Sequence, residues 1–253
     1  MNPKDKMITA RDLAEKLDLS VETIWRYTRN NKIPYYKVGT RQYRYKLSEV
    51  IQVLNKSKVK EKKSKYVTRK DKEYTYQDYL KLPEEPGYQL EVLEGMLVQE
   101  PSPGVMHQRV SRRLQRIQED YFAKYDPEGE IFDAPLDITL TETTVVQPDL
   151  LYISGEQKGI IKEKRIDGSP LLVVEIISPY SSKKDRIQKM KIYLKAQVKH
   201  YWLVDPEKTT FECFALQNNT YALITAGLEK DLIEHPDFKE LTIPLEELWP
   251  ESL

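Results

Sequence analysis

Between Met7 and Leu54 the apolar residues first recur at helical intervals and then alternate. Leu13 and Leu17, continued by Val21 and Ile24, trace one apolar helical face, and Thr9 with Asp12 three residues on has the form of a capping box. Asp18-Leu19-Ser20 interrupts that spacing, and Ser20 is a good N-cap for a second helix of about ten residues. Pro34 ends the helical options. Tyr35-Tyr36-Lys37-Val38 and Arg41-Gln42-Tyr43-Arg44-Tyr45 then flank Gly39-Thr40, which predicts a β-hairpin, and Ser48 to Leu54 predicts a third helix. Helix, turn, helix, hairpin, helix is a winged helix-turn-helix plan.

From Tyr74 the texture changes to short strands. Gln89–Leu93 and Met96–Gln99 flank Glu94-Gly95 as a second hairpin. Val110, Leu114, Ile117 and Tyr121 form a stripe that predicts a helix from Met106 to Lys124. Strands are expected over Ile131–Thr139, Val146–Ile153, Leu171–Ile177 and Tyr201–Val204, with a late hairpin from Phe211–Leu216 and Tyr221–Thr225. Ile187, Met190 and Leu194 mark another helix, and no solenoid-length repeat is visible. These elements make an α/β domain with a mixed sheet and helices on its faces.

Charge divides the chain at the same place. The 40 basic and 40 acidic residues cancel, yet residues 1–70 hold 19 Lys/Arg against 7 Asp/Glu, whereas 71–253 hold 21 against 33. A net +12 followed by a net −12 argues for two units, the first facing a polyanion. The expected divisions are 1–54, a basic linker over 55–71, and 72–253. The linker is read both as a solvated spacer and as one that tracks phosphates. One cysteine, Cys213, excludes a disulfide framework and a Cys-based zinc finger. The longest apolar run is broken by Glu175 and is too short for a bilayer, and Met1-Asn2-Pro3-Lys4-Asp5-Lys6 lacks a signal-peptide core. A cytoplasmic, prokaryotic-style protein with no membrane partner is expected.

A helix-turn-helix offers the first turns of its second helix to base edges. With Ile24 and Trp25 packed inward, Val21, Glu22, Thr23 and Arg26 would face DNA, and Arg41 and Arg44 on the wing would reach phosphate or the minor groove. The blander alternative is a three-helix module with solvated charges. The strings Ile8-Thr9-Ala10-Arg11-Asp12-Leu13-Ala14-Glu15, Ser20 to Tyr27, Lys32-Ile33-Pro34 and Lys37-Val38-Gly39 resemble the excisionase and mercury-regulator-like winged helix-turn-helix family over residues 7–54. Asp18 departs from the glycine frequent in that family's turn, and Asp tolerates the left-handed conformation.

In the second unit three acids stand among apolar neighbours: Glu91 between Leu90 and Val92, Asp149 before Leu150-Leu151, and Glu175 inside Leu172–Ile177. Each alone could point to solvent. Together, on neighbouring strands of one sheet, they can converge on one edge as a hard-oxygen site suited to Mg²⁺ or Mn²⁺, which can generate hydroxide and stabilise phosphoryl transfer. Pro148-Asp149 followed 26 residues later by Glu175 resembles the PD-(D/E)XK nuclease pattern, except that Ile177 stands where that pattern has lysine. The longer set Tyr74–Leu80, Glu91–Gly95, Pro101-Ser102-Pro103, His107-Gln108, Gln147–Leu150, Val174–Pro179 and Tyr201–Pro206 resembles the restriction-endonuclease-like family called domain of unknown function 820, over about residues 72–250.

That resemblance implies a nuclease fold, a metal-dependent endonuclease activity, and a catalytic lysine on the helix after the Glu175 strand. Asp185, Lys189 and Tyr193 lie at i, i+4 and i+8, so Lys189 is preferred over Lys191 as the replacement for the lysine missing at Ile177, against the plain alternative of a surface Asp185–Lys189 pair. Asp149, Glu175 and Glu91 are the expected metal ligands. His107 is a base, a phosphate contact or a helix cap; Asp205 before Pro206 is turn chemistry. Arg109, Arg112, Arg113 and Arg116 add basic surface. Three functions stand: a DNA endonuclease acting as a homodimer, a regulator whose nuclease-like domain is inert, and a toxin-like or RNA-directed nuclease that regulates itself.

Overall fold

A computed structural model describes residues 7–17, 21–29, 33–38, 42–56, 65–67, 73–83, 86–178 and 183–249. The chain divides into two units, Met1–Lys62 and Lys63–Leu253. The first runs β1 (Met7–Ile8), α1 (Ala10–Leu17), α2 (Val21–Arg29), β2 (Tyr36–Val38), β3 (Gln42–Lys46) and α3 (Leu47–Lys56), with its strands in the order β1-β3-β2. The Thr9 hydroxyl accepts from the Asp12 amide at 3.2 Å, and Asp12 Oδ2 accepts from the Thr9 amide at 3.0 Å, so α1 starts at its capping box.

Leu13, Ile24, Tyr45 and Val50 form the core of this unit, with Val21 partly buried against it. Thr28 donates to the Ile24 carbonyl at 2.8 Å and pairs with the Tyr45 hydroxyl at 2.7 Å. The inward face of α2 is therefore Val21–Ile24–Thr28. This corrects two expectations: Val21 packs on the core rim, and Trp25 is 38% exposed, edge-on to Tyr43. Trp25 lies about 100° round the helix from Ile24, beyond the arc that Val21, Ile24 and Thr28 span, and so falls off the inward face.

The second unit runs β4 (Lys65–Val67), α4 (Tyr76–Tyr79), β5 (Tyr88–Leu93), β6 (Met96–Pro101), α5 (Val105–Tyr125), β7 (Glu130–Asp133), β8 (Ile138–Thr141), β9 (Thr144–Val146), β10 (Leu150–Ile153), β11 (Ile166–Asp167), β12 (Leu172–Ile176), α6 (Lys183–Lys195), β13 (His200–Asp205), β14 (Thr210–Gln217), β15 (Thr220–Leu228), β16 (Leu232–Glu234), β17 (Thr242–Pro244) and α7 (Leu245–Leu248). Two six-stranded sheets carry most of it, ordered β15-β14-β13-β12-β10-β7 and β11-β8-β9-β5-β6-β4. Both are mixed: β12 pairs parallel with β13, and β11 with β8. The β12–β13 crossover is made by α6, since parallel neighbours need a long connection.

The first sheet is apolar on both faces, which explains the unbroken runs of its strands. Leu150, Tyr152, Leu172, Val174, Ile176, Trp202 and Val204 pack with α5 and the C-terminal elements. Leu151, Ile153, Val173, Tyr201 and Leu203 pack on the other side with Ile192 and Tyr193 of α6 and with Leu93 and Val98 of the second sheet. Alternation assigns Glu175 to this second face, beside Val173.

Three expectations change here. Ile131–Thr139 is not one strand but β7 and β8, in different sheets, with Pro135 between them. Val146–Ile153 likewise splits into β9 and β10 at Pro148. Proline offers no N–H to a ladder, so neither strand continues through it and the chain changes sheet. Residues 65–67, assigned to the linker, form β4, an edge strand with Tyr66 opposite Val98; lysine is at home on such an edge.

Candidate active site

The Gln147-Pro148-Asp149 step is where the chain leaves one sheet for the other. β10 pairs antiparallel with β12, Leu150 opposite Val174, so Asp149 arrives beside Glu175 at the C-terminal end of β12. Asp149 Oδ2 accepts from the Ile176 amide at 2.7 Å, and its Oδ1 stands 2.6 Å from His107 Nε2. His107 comes from the first turn of α5, whose N-cap is Gly104, so it is not a helix cap. Burial lowers the His107 pKa, but the hydrogen bond and charge of Asp149 outweigh it and the net direction is up.

Glu91 reaches the same place from the second sheet. It shares a face of β5 with Leu93, which packs against the first sheet, so Glu91 and Glu175 face each other between the layers. Lys189 of α6 stands between them, its Nζ 3.0 Å from Glu91 Oε1 and 3.3 Å from Glu175 Oε2. Glu91 is 1% exposed and Lys189 7%. The Gln147 amide donates to Glu91 Oε1 at 2.7 Å, and the Tyr193 hydroxyl donates to Glu175 Oε1 at 2.6 Å. Glu91 Oε2 is buried with no hydrogen-bond partner.

Burial pushes Glu91 up to about 8 and Glu175 up to about 7, with the Lys189 ammonium pulling both down and neighbouring carboxylates pushing further up. For Lys189, burial opposes the charge, but Glu100, Glu175 and Glu91 together hold it protonated, well above the usual lysine range. A cleft lined by Gln89, Glu100, His107, Asp149, Glu175 and Lys189, among others, opens over this cluster.

The structure thus brings Glu91, Asp149, Glu175 and Lys189 together, with His107 beside them. Lys191 is exposed, and Ile177 is packed into the apolar layer between the sheets, its amide donating to the Val204 carbonyl at 2.7 Å. The Asp185 side chain lies outside the described residues. Asp205 closes a turn, accepting from the Lys208 amide at 3.1 Å and pairing with its ammonium at 2.7 Å.

Two members were missed. Glu100 Oε2 lies 3.9 Å from Lys189, and Arg186, paired with Glu212 at 3.4 Å, lines the cleft. The signal for Glu100 was the β5–β6 register: Glu91 opposes Val98 and Gln89 opposes Glu100, which puts Glu100 on the Glu91 face.

Of the DNA-facing candidates in the first unit, Val21 and Thr23 are partly buried on α2. Arg44 is partly buried on β3, with Nη1 donating to the Tyr43 carbonyl at 3.0 Å. The side chains of Glu22 and Arg26, all of Arg41, the 18–20 turn and Gly39-Thr40 lie outside the described residues.

A family model described as "Uma2: Putative restriction endonuclease" matches residues 76–246, and one described as "Helix-turn-helix domain" matches residues 7–58. Among solved structures the chain is similar to one from Anabaena variabilis ATCC 29413, titled a "putative nuclease belonging to DUF820". The two are 22% identical with a TM-score of 0.57, over 69% of this chain and 97% of that one. That likeness is one of fold. Among curated proteins none matches.

Proposed function

The chain belongs to the Uma2 family, whose description is "Putative restriction endonuclease", and from that premise we propose that it is a metal-dependent endonuclease hydrolysing phosphodiester bonds in DNA, targeted by its N-terminal helix-turn-helix domain. The fold is mixed α/β and restriction-endonuclease-like. One observation carries the reading: Glu91, Asp149, Glu175 and Lys189, far apart in sequence, meet around one cleft.

The donor set suits a hard divalent cation. Four carboxylates, Glu91, Glu100, Asp149 and Glu175, crowd one ammonium and one imidazole. Among the described residues no three His, Cys, Asp or Glu side chains gather as a complete cage. Mg²⁺ ordinarily takes only one or two carboxylates and leaves its other positions to water and phosphate. Asp149 and Glu175 are the two that would hold it. Glu91 would assist through a water or by direct contact: its Oε1 is taken by Lys189 and the Gln147 amide, and its Oε2 has no hydrogen-bond partner. When bound, the metal supplies Lewis-acid charge and a more acidic water.

The remaining groups prepare the site. His107 and the Ile176 amide fix both oxygens of Asp149 before substrate arrives, and Tyr193 and Lys189 do the same for Glu175. Lys189 is held protonated, so its part is to offset charge growing on the phosphate, not to accept a proton. Ile177 at the usual lysine position favours an inert regulator; the Lys189 ammonium 3.3 Å from Glu175 supports the active reading from another element. A homodimer that cuts both strands belongs to the same proposal.

The test is plasmid cleavage by the full chain in Mg²⁺, Mn²⁺ or EDTA, beside Asp149→Ala and Glu175→Ala. The expected result is metal-dependent nicking or linearisation, lost in both variants. Cleavage that survives either substitution would overturn the site. No cleavage of DNA with either metal, alongside intact DNA binding, would favour the regulator.

A further inference from the structure

We propose that the outer face of α5 is the phosphate track of the nuclease unit, with Arg109, Arg112 and Arg116 holding the backbone of the DNA strand that leads away from the scissile phosphate. The inference rests on the endonuclease reading and extends it to how this unit grips its substrate.

The segment from 71 onward is acidic by 12 charges, yet residues 105–118 contain four arginines and no Asp or Glu. Arg109, Arg112 and Arg116 are spaced three and four apart and so share one helix face. That face lies opposite the buried stripe Val110, Leu114, Gln118. Arg112 and Arg116 are exposed and Arg109 is half-buried. Among the described residues no carboxylate forms an ion pair with any of the three. Arg113 is different, because its Nη1 donates to the Glu247 carbonyl at 3.1 Å and is taken up by the fold.

Helix stability does not account for the stripe. The helix dipole favours acids early and bases late. In α5 the first turn has no acid, the arginines come next, and Glu119 and Asp120 follow them. A surface helix with alternating charge would also gain i, i+4 pairs, which these arginines forgo.

Position supplies the second half of the argument. α5 begins at the cleft: His107, in its first turn, lines it and holds Asp149. Arg109 is two residues further on, about 3 Å along the axis and about 200° round it, so the arginine face starts near the mouth of the cleft but on the side of α5 turned away from His107. From Arg109 to Arg116 the helix rises about 10 Å, the axial length of about three phosphates on one strand. Three unpaired guanidiniums over that length match a short run of backbone leaving the reacting phosphate. Guanidinium forks suit phosphate oxygens.

The test compares full-length R109Q/R112Q/R116Q with the parent in metal-dependent cleavage of a DNA duplex, across 50 to 200 mM salt. Losing three phosphate contacts should make the salt slope shallower by about 2.7, a roughly 40-fold smaller fall in kcat/KM over that range. The change should sit in KM, with kcat at saturating DNA retained and the melting temperature unaltered. R109K/R112K/R116K, which keeps the charge, should restore most of the slope. An unchanged KM and slope in the glutamine variant, while the parent cuts normally, would overturn the track. If the parent cuts nothing, the nuclease reading fails separately and duplex binding by fluorescence anisotropy decides: a shallower slope in the glutamine variant keeps the track, an unchanged one removes it.

Discussion

Glu91→Gln removes one charge while keeping the side chain's shape and the acceptor that the Gln147 amide uses. Without metal, Glu91, Glu100 and Glu175 surround the single ammonium of Lys189, and burial drives Glu91 up to about 8 from its ordinary 4.5. A carboxyl whose folded pKa is raised keeps protons that the unfolded chain has released. Its stabilising contribution is complete below about pH 4.5 and is lost as pH climbs towards 8. Each pH unit is worth about 1.4 kcal/mol, so at pH 7 the burden is about 3 kcal/mol. The glutamine carries none of it. In EDTA, E91Q should therefore be more stable than the parent by about 2–3 kcal/mol at pH 7, a rise of roughly 5–10 °C in Tm for a unit of this size. At pH 4.5 the two chains should be equal. Urea unfolding at pH 4.5, 6, 7 and 8 measures the gap directly. A variant weaker than the parent at pH 7, or a gap that does not widen with pH, would show that the Glu91–Lys189 pair is net stabilising and that the reasoning is wrong.

Lys189→Met should lower kcat by about 10²–10³ with little change in KM, and above pH 8, where Glu91 and Glu175 are both ionised, should destabilise the metal-free chain by about 3–5 kcal/mol because two buried carboxylates lose their counter-charge; single-turnover kinetics and thermal melts separate the effects. Saturating Mg²⁺ should raise the stability of the parent, by about 2.7 kcal/mol at a hundredfold excess over Kd, and leave Asp149→Ala and Glu175→Ala unmoved in a thermal-shift assay. Burial pushes His235, whose Nδ1 accepts from the amides of Asp237 and Phe238, down to about 3. A depressed histidine is lost to protonation only in the unfolded chain, so between pH 6.5 and 3 it should remove about 1.4 kcal/mol of stability per unit of acidification, and His235→Gln should flatten that part of the profile. Gly95 has φ +80°, and a Cβ there would sit 2.7 Å from the Glu73 Cβ; Gly95→Ala should cost about 1–3 kcal/mol in urea unfolding.

What could be read from the sequence was what local rules decide. The Thr9–Asp12 box, the Glu94-Gly95 hairpin and the α5 stripe depend on residues a few positions apart, and the structure has each of them. Trp25 is exposed because it stands off the Val21–Ile24–Thr28 face of α2, and hydrophobicity alone does not show which face a residue takes. The two fused strands failed because a run of apolar residues was followed through Pro135 and Pro148, although each proline marks the point where the chain changes sheet. Glu91, Asp149 and Glu175 stood out by contrast with apolar neighbours. Glu100 lies between Gln99 and Pro101, where no such contrast exists, and only the pairing of β5 with β6 brings it to the cleft.

The same contrast says why these acids are there. Glu175 follows Val173 on the inter-sheet face of β12, Glu91 precedes Leu93 on that of β5, and Glu100 follows Val98 on that of β6. At each place the adjacent same-face residue is aliphatic and buried in one apolar layer. Another aliphatic there would extend the core; a buried carboxylate without full pairing costs free energy instead. One lysine cannot neutralise three glutamates, and Glu91 Oε2 is left without a partner. Folding alone does not require such a cluster. The proposed endonuclease site, which would attract a cation to the carboxyl end of β12 and hold an ammonium beside it, would require one. Gains in stability on removing these charges should thus come with loss of cleavage, which a purely structural buried ion cluster would not show.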